Sequence, residues 1–448
     1  MKKNDLIELD ITDVTLQGSG VGRYEGMAVF VPMTAVGDRI ICRIVKVLKS
    51  YCFGITDTII TPSPDRAVRE CDVYSKCGGC LFRHISYDAE ARLKQRSVRE
   101  IFARIGGFAE GTYEEEPIIC AEVTDRCRNK AQYPVAVKDG RAYCGFYAPR
   151  SHRVIECTDC HLQPKVFSDI VSYCMRYVNK KHIPVYDEVT HKGLLRHIYI
   201  RQGYHTKEIM VCFILTRNAD LSELAGRLTE RFEDIRSVVV NINPDNTNVI
   251  MGEKVCTIAG EDYIEDIMCG NRIRLSPHSF YQVNTPQAER LYAKAAEYAE
   301  PEGKELLDLY CGAGTIGLSM RGAKRLTGVE IVPQAVENAR HNAAANGIDA
   351  EFFCADAGDA AKRLADEGRL PDVIVTDPPR KGCDELTIDA MVQMHPERIV
   401  MVSCDPSTAA RDCRMLCVKG YALRRLCTVD LYPGTGHVEC VVLLTRNN

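Results

Sequence analysis

The sequence predicts an α/β protein whose C-terminal third is a doubly wound, Rossmann-like sheet, preceded by a central α+β domain and an N-terminal OB-like β-barrel. Three observations carry this. After Pro277 short apolar runs alternate with helical patterns, as in "ELLDLYCGAGTIGLSM" and "RIVMVSCDPSTAAR", the signature of strand–helix–strand units. From about residue 112 to 270 the pattern is strand-rich. The first sixty or so residues alternate β-like runs with glycine turns such as "QGSGVGRYEG", the spacing of a small barrel. These changes divide the chain into 1–62, 63–270 and 271–448.

In the barrel, "LIELDITDVTL", "GMAVFVP" and "RIICRIVKVLK" supply the strands, and "TPSPDR", with two prolines, reads as a linker. A cysteine-rich stretch follows. Then "SYDAEARLKQRSVREIFARIGGF" places Leu93, Val98, Ile101, Phe102 and Ile105 at helical spacing and stops at Gly106 and Gly107, so a helix is expected there.

Length and composition narrow the function class. A chain of 448 residues exceeds one ordinary core, and 46% hydrophobic with 26% charged residues is a soluble globular composition. No apolar signal core and no run of about 18 apolar residues occurs, so a cytoplasmic protein without a membrane partner is expected. In a reducing compartment the 22 cysteines are read as metal ligands, catalytic groups or buried thiols before disulfides. The net charge of −4 gives no general affinity for nucleic acid, yet Arg126 to Arg153 holds seven Lys or Arg against Asp139 alone, interleaved with Tyr133, Tyr143, Phe146 and Tyr147. Cations for phosphates beside rings for unstacked bases suit single-stranded RNA. A solvated sheet face with ordinary aromatic packing reads equally well from this segment alone.

In the C-terminal third, Gly312, Gly314 and Gly317 fit G-x-G-x-x-G between a strand and a helix, where backbone approaches a nucleoside ligand. Glu330 ends the next strand, "RLTGVEI", in position to accept from ribose hydroxyls. Asp356, ending "AEFFCADA", is expected near an adenine amine. Nicotinamide dehydrogenases share this much. "PDVIVTDPPRKG" separates the two, because Asp377 followed by two rigid prolines presents a carboxylate and a carbonyl in fixed directions to a planar base. Arg380 stands where amine methyltransferases carry a stacking aromatic ring, which lowers that reading.

Cys404 ends the neighbouring apolar strand. A thiolate adding to uracil carbon 6 makes carbon 5 electron-rich, and a base must later remove the carbon 5 proton. "DLYPGTGHVECVVLL" offers Glu439, beside His437, for that step. A lone thiol is more often a buried one, and Cys311 and Cys383 lie in the same motifs.

"ECDVYSKCGGCLFRHI" contributes Cys71, Cys77 and Cys80, and "ECTDCHLQP" contributes Cys157 and Cys160. Cys77, Cys80, Cys157 and Cys160 would make a tetrahedral zinc site. Cys71, Cys77, Cys80 and one distant cysteine would make a [4Fe-4S] site. Spacing leaves both open.

The motifs "FYQVNTPQAERLY", "DLYCGAGTIGL", "DPPRKG", "SCDPSTAARD" and "GTGHVE", in this order and spacing, resemble the RNA uracil-5-methyltransferase family. The resemblance implies S-adenosylmethionine as cofactor, with Gln282, Tyr310, Glu330 and Asp377 contacting it or the target uracil, Cys404 as nucleophile and Glu439 as proton acceptor. "GSGVGR" and "FVP" near the start resemble a TRAM module, an OB-like RNA-binding barrel. The cluster-bearing branch implies a [4Fe-4S] centre on Cys71, Cys77, Cys80 and Cys160. Its implied partner is structured RNA, 23S ribosomal RNA ahead of transfer RNA, with the protein acting as a monomer. The cluster, far in sequence from Cys404, is expected to staple the Arg126 to Arg153 surface. A non-catalytic RNA-binding protein on the same fold is the alternative class, disfavoured by the intact Cys404, Asp377 and Glu439.

Overall fold

The structure is a computed structural model that describes residues 1–68 and 70–447. Its N-terminal sheet has six strands, running from Leu6–Asp10 to Tyr51–Thr61. Along Leu6–Asp10 exposed and buried residues alternate strictly, so Ile7 and Leu9 point inward. The glycines of "GSGVGR" are required by close approach. A Cβ on Gly20 would stand 1.9 Å from Thr34 Oγ1, and one on Gly22 would stand 2.5 Å from the Asp10 carbonyl oxygen.

The stretch read as a linker is tied down. Asp38, buried at the barrel's end, accepts from the Ser63 amide at 2.9 Å and from Arg66 Nε and Nη2 at 2.8 and 2.7 Å. The helix expected next is present as α1 (Tyr87–Ile101), capped by Ser86, whose side chain accepts from the Ala89 amide. A short π-helical turn, Phe102–Gly106, continues it until Gly107 adopts φ 73°.

The central sheet has seven strands, with helices Lys165–Lys180 and Ser222–Arg231 packed on one face. Strands Leu195–Gln202 and Ile209–Leu215 are buried throughout. Their other face, with Tyr199, Met210 and Ile214, joins a core shared with Tyr281, Leu291 and Tyr292 of the C-terminal region.

In the C-terminal region the parallel strands Ala350–Cys354, Arg325–Glu330, Glu305–Leu309, Val373–Thr376 and Arg398–Ser403 lie side by side in that order. The chain order reverses beside Glu305–Leu309, where open α/β sheets bind ligands. The last two strands, Glu439–Arg446 and Tyr421–Val429, complete the sheet. An eighth strand, Glu114–Ile119, comes from within the span read as the central domain and pairs in parallel with Tyr421–Val429. Val98 of α1 and Phe102 after it likewise enter the core beneath this sheet. Among the described residues no helix is long and apolar enough to cross a membrane.

Candidate active site

Four of the five parallel strands, all but Ala350–Cys354, deliver their carboxyl ends to one cavity of about 1110 Å³. Gln282, Tyr310, Gly312, Glu330, Asp377, Cys404 and Glu439 all line it. That volume accommodates a nucleoside cofactor and a second planar ring.

The cofactor end is built on the turn after Glu305–Leu309. Tyr310 holds φ 64°, Gly312 φ 56° and Gly314 φ 81°. A non-glycine residue in the left-handed region at a strand end is strained backbone at a ligand site. Beneath the turn Asp308 is buried, its Oδ2 accepts from the Gly317 amide at 2.9 Å, and burial pushes its carboxyl up to about 8. Glu330 braces the same turn from the next strand. Its Oε2 accepts from the Gly312 amide at 3.0 Å and its Oε1 from the Val332 amide at 2.8 Å. Each oxygen keeps a further lone pair for a ribose hydroxyl.

Asp356 has a local structural role. It lies outside the cavity lining, and its Oδ1 accepts from the Gly358 and Asp359 amides as the N-cap of helix Ala357–Asp366. An aspartate at a strand-to-helix junction satisfies orphan amides first. Gly314 likewise serves the turn, packed on Leu318 and Ala339.

The base end lies between strands. Burial pushes Asp377 up to about 7. Burial, reinforced by Asp377, raises Glu439 well above the usual carboxylate range. The Cys404 thiol is raised by burial and by Glu439 and Asp377, while the Arg380 cation opposes them. Arg380 Nη2 also lies 3.4 Å from His437 Nδ1. Cys404 is half-buried, whereas Cys311 and Cys383 are buried. Gln282 is fixed on both sides, its Oε1 accepting from Tyr432 Oη at 3.1 Å and its carbonyl from Asn129 Nδ2 at 2.9 Å.

The cavity has walls that the C-terminal motifs did not announce. Leu16 and Gln17 of the barrel, Gly78, Gly79 and Leu81 of the cysteine loop, and Arg128 all line it. The cysteine loop, far from Cys404 in sequence, is therefore next to this cavity, together with Arg128 of the basic segment.

The basic segment is partly consumed within the protein. Arg126 binds Asp159 and the carbonyl oxygens of Cys160 and Gln163. Arg141 makes two bonds to Glu156, and Tyr133 is fully buried. Burial, then Arg201 and Arg128, lower Lys130 to about 8. Arg128 at the cavity and the exposed Arg150 and Arg153 remain for an anionic ligand.

Among the described residues no three His, Cys, Asp or Glu side chains stand in metal-binding geometry. The five thiols nevertheless feel one another. Burial and then Cys160 push Cys80 up to about 12, and burial, Cys160, Cys71 and Cys77 push Cys157 up to about 12. Cys160 is raised by burial and by Cys77 and Cys71.

Comparison with known proteins agrees with this geometry. Residues 250–447 match the family model described as tRNA (uracil-5-)-methyltransferase, and residues 2–56 match the TRAM domain. An uncharacterized RNA methyltransferase of Halalkalibacterium halodurans is 41% identical, covering 100% of this chain and 98% of its own length. One from Clostridium tetani is 39% identical, covering 99% and 97%. The solved structure of a Pyrococcus abyssi tRNA (uracil-54, C5)-methyltransferase with S-adenosyl-L-homocysteine superposes with a TM-score of 0.79, at 26% identity, over 98% of this chain and 99% of that one.

Proposed function

Since the chain belongs to the RNA uracil-5-methyltransferase family and carries a TRAM domain, we propose that it methylates carbon 5 of a uridine in structured RNA through a covalent Cys404 adduct. The observation that carries this reading is the convergence of Cys404, Asp377 and Glu439 on the cavity that also contains Glu330 and the glycine turn.

S-adenosylmethionine, when bound, supplies an electrophilic methyl group. Glu330 and the backbone at Gly312 would hold its nucleoside, and Gln282 and Tyr310 would flank it. Asp377 orients the target uracil. The Cys404 thiolate forms a bond to carbon 6, and the electron pair of the carbon 5–carbon 6 double bond moves into the ring as an enolate. Carbon 5 then bonds to the methyl carbon, whose bond to the sulfonium sulfur breaks with the electron pair staying on sulfur, so that S-adenosylhomocysteine is the leaving group. Glu439 removes the carbon 5 proton, the double bond re-forms, and the sulfur–carbon 6 bond breaks to return the thiolate. A buried carboxylate with a raised pKa is a stronger base than a solvated one. The Arg380 cation favours the thiolate before and after each cycle.

For the metal, the donor set is thiol only, and Cys71, Cys77, Cys80 and Cys160 interact electrostatically in a half-buried site. Such soft donors suit iron–sulfur chemistry or zinc. We assign these four to a [4Fe-4S] cluster whose work is structural, since methyl transfer needs no redox step.

Ribosomal 23S RNA is the substrate favoured by the pairing of a TRAM barrel with the cysteine loop. Transfer RNA is the second reading, favoured by the full-length likeness to the Pyrococcus abyssi enzyme. Labelled-methyl transfer to purified ribosomal and transfer RNA, with 5-methyluridine mapped in RNA from a strain lacking the gene, decides between them. Absence of 5-methyluridine differences in both pools would sink the proposal.

A further inference from the structure

The turn that leads into Glu439 is held from another part of the chain. Between strands Tyr421–Val429 and Glu439–Arg446, Tyr432, Thr435 and His437 face the cavity. Tyr87, Glu90 and Lys94, spaced along one side of α1, meet this turn. Lys94 Nζ donates to Glu90 Oε1 at 2.9 Å, to Asp430 Oδ1 at 2.8 Å and to the Tyr432 carbonyl oxygen at 3.2 Å. All three ammonium protons are thereby used. Glu90 Oε1 also accepts from the Gly434 amide at 2.6 Å, and Asp430 Oδ2 accepts from Tyr87 Oη at 2.9 Å.

Gly434, at φ 81°, is gripped at its other end as well. Its carbonyl accepts from the Leu81 and Phe82 amides at 2.7 and 3.2 Å, directly after Cys80. The Lys94, Glu90 and Asp430 side chains are 0% exposed. Packed apolar side chains would satisfy stability at least as well as such a buried ion group, whose distinctive contribution is a fixed geometry. Here the fixed object is the turn ahead of the proton acceptor.

We propose that Lys94, with Glu90 and Asp430, is a positioning device for residues 430–439, setting Tyr432 against Gln282 and Glu439 against Cys404. This rests on the catalytic reading above for its consequence, and on the contacts alone for its structural part. Lys94 touches no reacting atom and acts through the turn. Displacing Glu439 would slow removal of the carbon 5 proton, while the cofactor's hold on Glu330 and Gly312, which no part of this device touches, stays in place.

The test is Lys94→Met, with Glu90→Gln as a milder variant that keeps an acceptor for the Gly434 amide. Hydrogen exchange is measured well below each variant's melting temperature, beside steady-state turnover and single-turnover methylation. The expected result for Lys94→Met is at least about tenfold faster exchange at Tyr432 and Gly434 with the middle of α1 still protected. We expect kcat to fall about a hundredfold, with S-adenosylhomocysteine affinity falling no more than about fivefold through the loosened Tyr432–Gln282 contact and methylated RNA accumulating as a covalent adduct. Glu90→Gln should shift the same readouts less, and it carries the test should Lys94→Met not fold. Turn amides protected as in the wild type, or a folded variant turning over normally without adduct, would overturn the proposal. A wild type that forms no adduct with 5-fluorouracil RNA, while the turn still loosens in Lys94→Met, sinks the covalent reading and leaves the positioning role standing.

Discussion

Cys404 and Glu439 face each other across adjacent antiparallel strands: the register that pairs Ser403 with Cys440 brings them opposite one another, one residue beyond that pair. The proposed nucleophile and proton acceptor thus share one rigid sheet. The thiol registers the neighbouring carboxylate as a cause of its raised pKa.

Cys404→Ala is expected to lower methyl transfer by more than about a thousandfold while S-adenosylhomocysteine and RNA still bind. RNA containing 5-fluorouracil should trap the wild type, because fluorine at carbon 5 does not leave as a proton. Trapping of Cys404→Ala would point to another thiol. Cys311, which lines the cavity, is then the first to examine, ahead of Cys383.

Glu439→Gln keeps the side chain's shape and removes its basicity. Addition and methyl transfer should proceed while elimination slows, so that a denaturation-resistant protein–RNA band builds up with natural RNA. Near-normal turnover with no such band would remove Glu439 from the proton-acceptor role.

Reactivity of Cys404 should rise with pH through and above neutrality. Burial, Glu439 and Asp377 hold the thiol above its ordinary pKa, and only the deprotonated form reacts. The Arg380 cation lowers that pKa, so Arg380→Met must move the midpoint of Cys404 alkylation to higher pH. An unchanged or lower midpoint would show that Arg380 does not act on the thiol.

Protein purified without oxygen should be brown and contain iron and sulfide with little zinc. Cys71→Ser and Cys160→Ser should lose the colour, and Cys157→Ser should keep it. Because Gly434 and Cys80 lie side by side, with a Cβ on Gly434 falling 3.9 Å from the Cys80 sulfur, loss of the metal should also loosen the 430–439 turn. A colourless, zinc-loaded protein that tolerates Cys71→Ser would favour the four-cysteine zinc site instead.

The strand ends were legible in the sequence because their signals are local. An apolar run that stops at Asp377-Pro-Pro, or at Cys404 before a proline-led helix, places both the element and the residue. Asp356 shows the limit of such local signals, since the sequence did not announce its capping role and a cap and a ligand contact look alike in it. The basic run was legible only in part, because the partners of Arg126 and Arg141, Asp159 and Glu156, lie outside it. The tie between Lys94 and Asp430 spans 336 positions, and no periodicity along α1 identifies a partner that distant.

The edge strand Glu114–Ile119 has a consequence for how the chain is made. It leaves the ribosome some three hundred residues before Tyr421–Val429, the strand it pairs with, so this strand must wait, outside its sheet, until synthesis is nearly complete, while Ala89 and Leu93 of α1 can already pack on the barrel. Closing so long a loop slows assembly, and vectorial folding from the N-terminus cannot finish this sheet. A fragment beginning at residue 271 would retain every motif of the glycine turn and the cysteine strand, yet it would present Tyr421–Val429 as an unpaired edge, open to association with other chains.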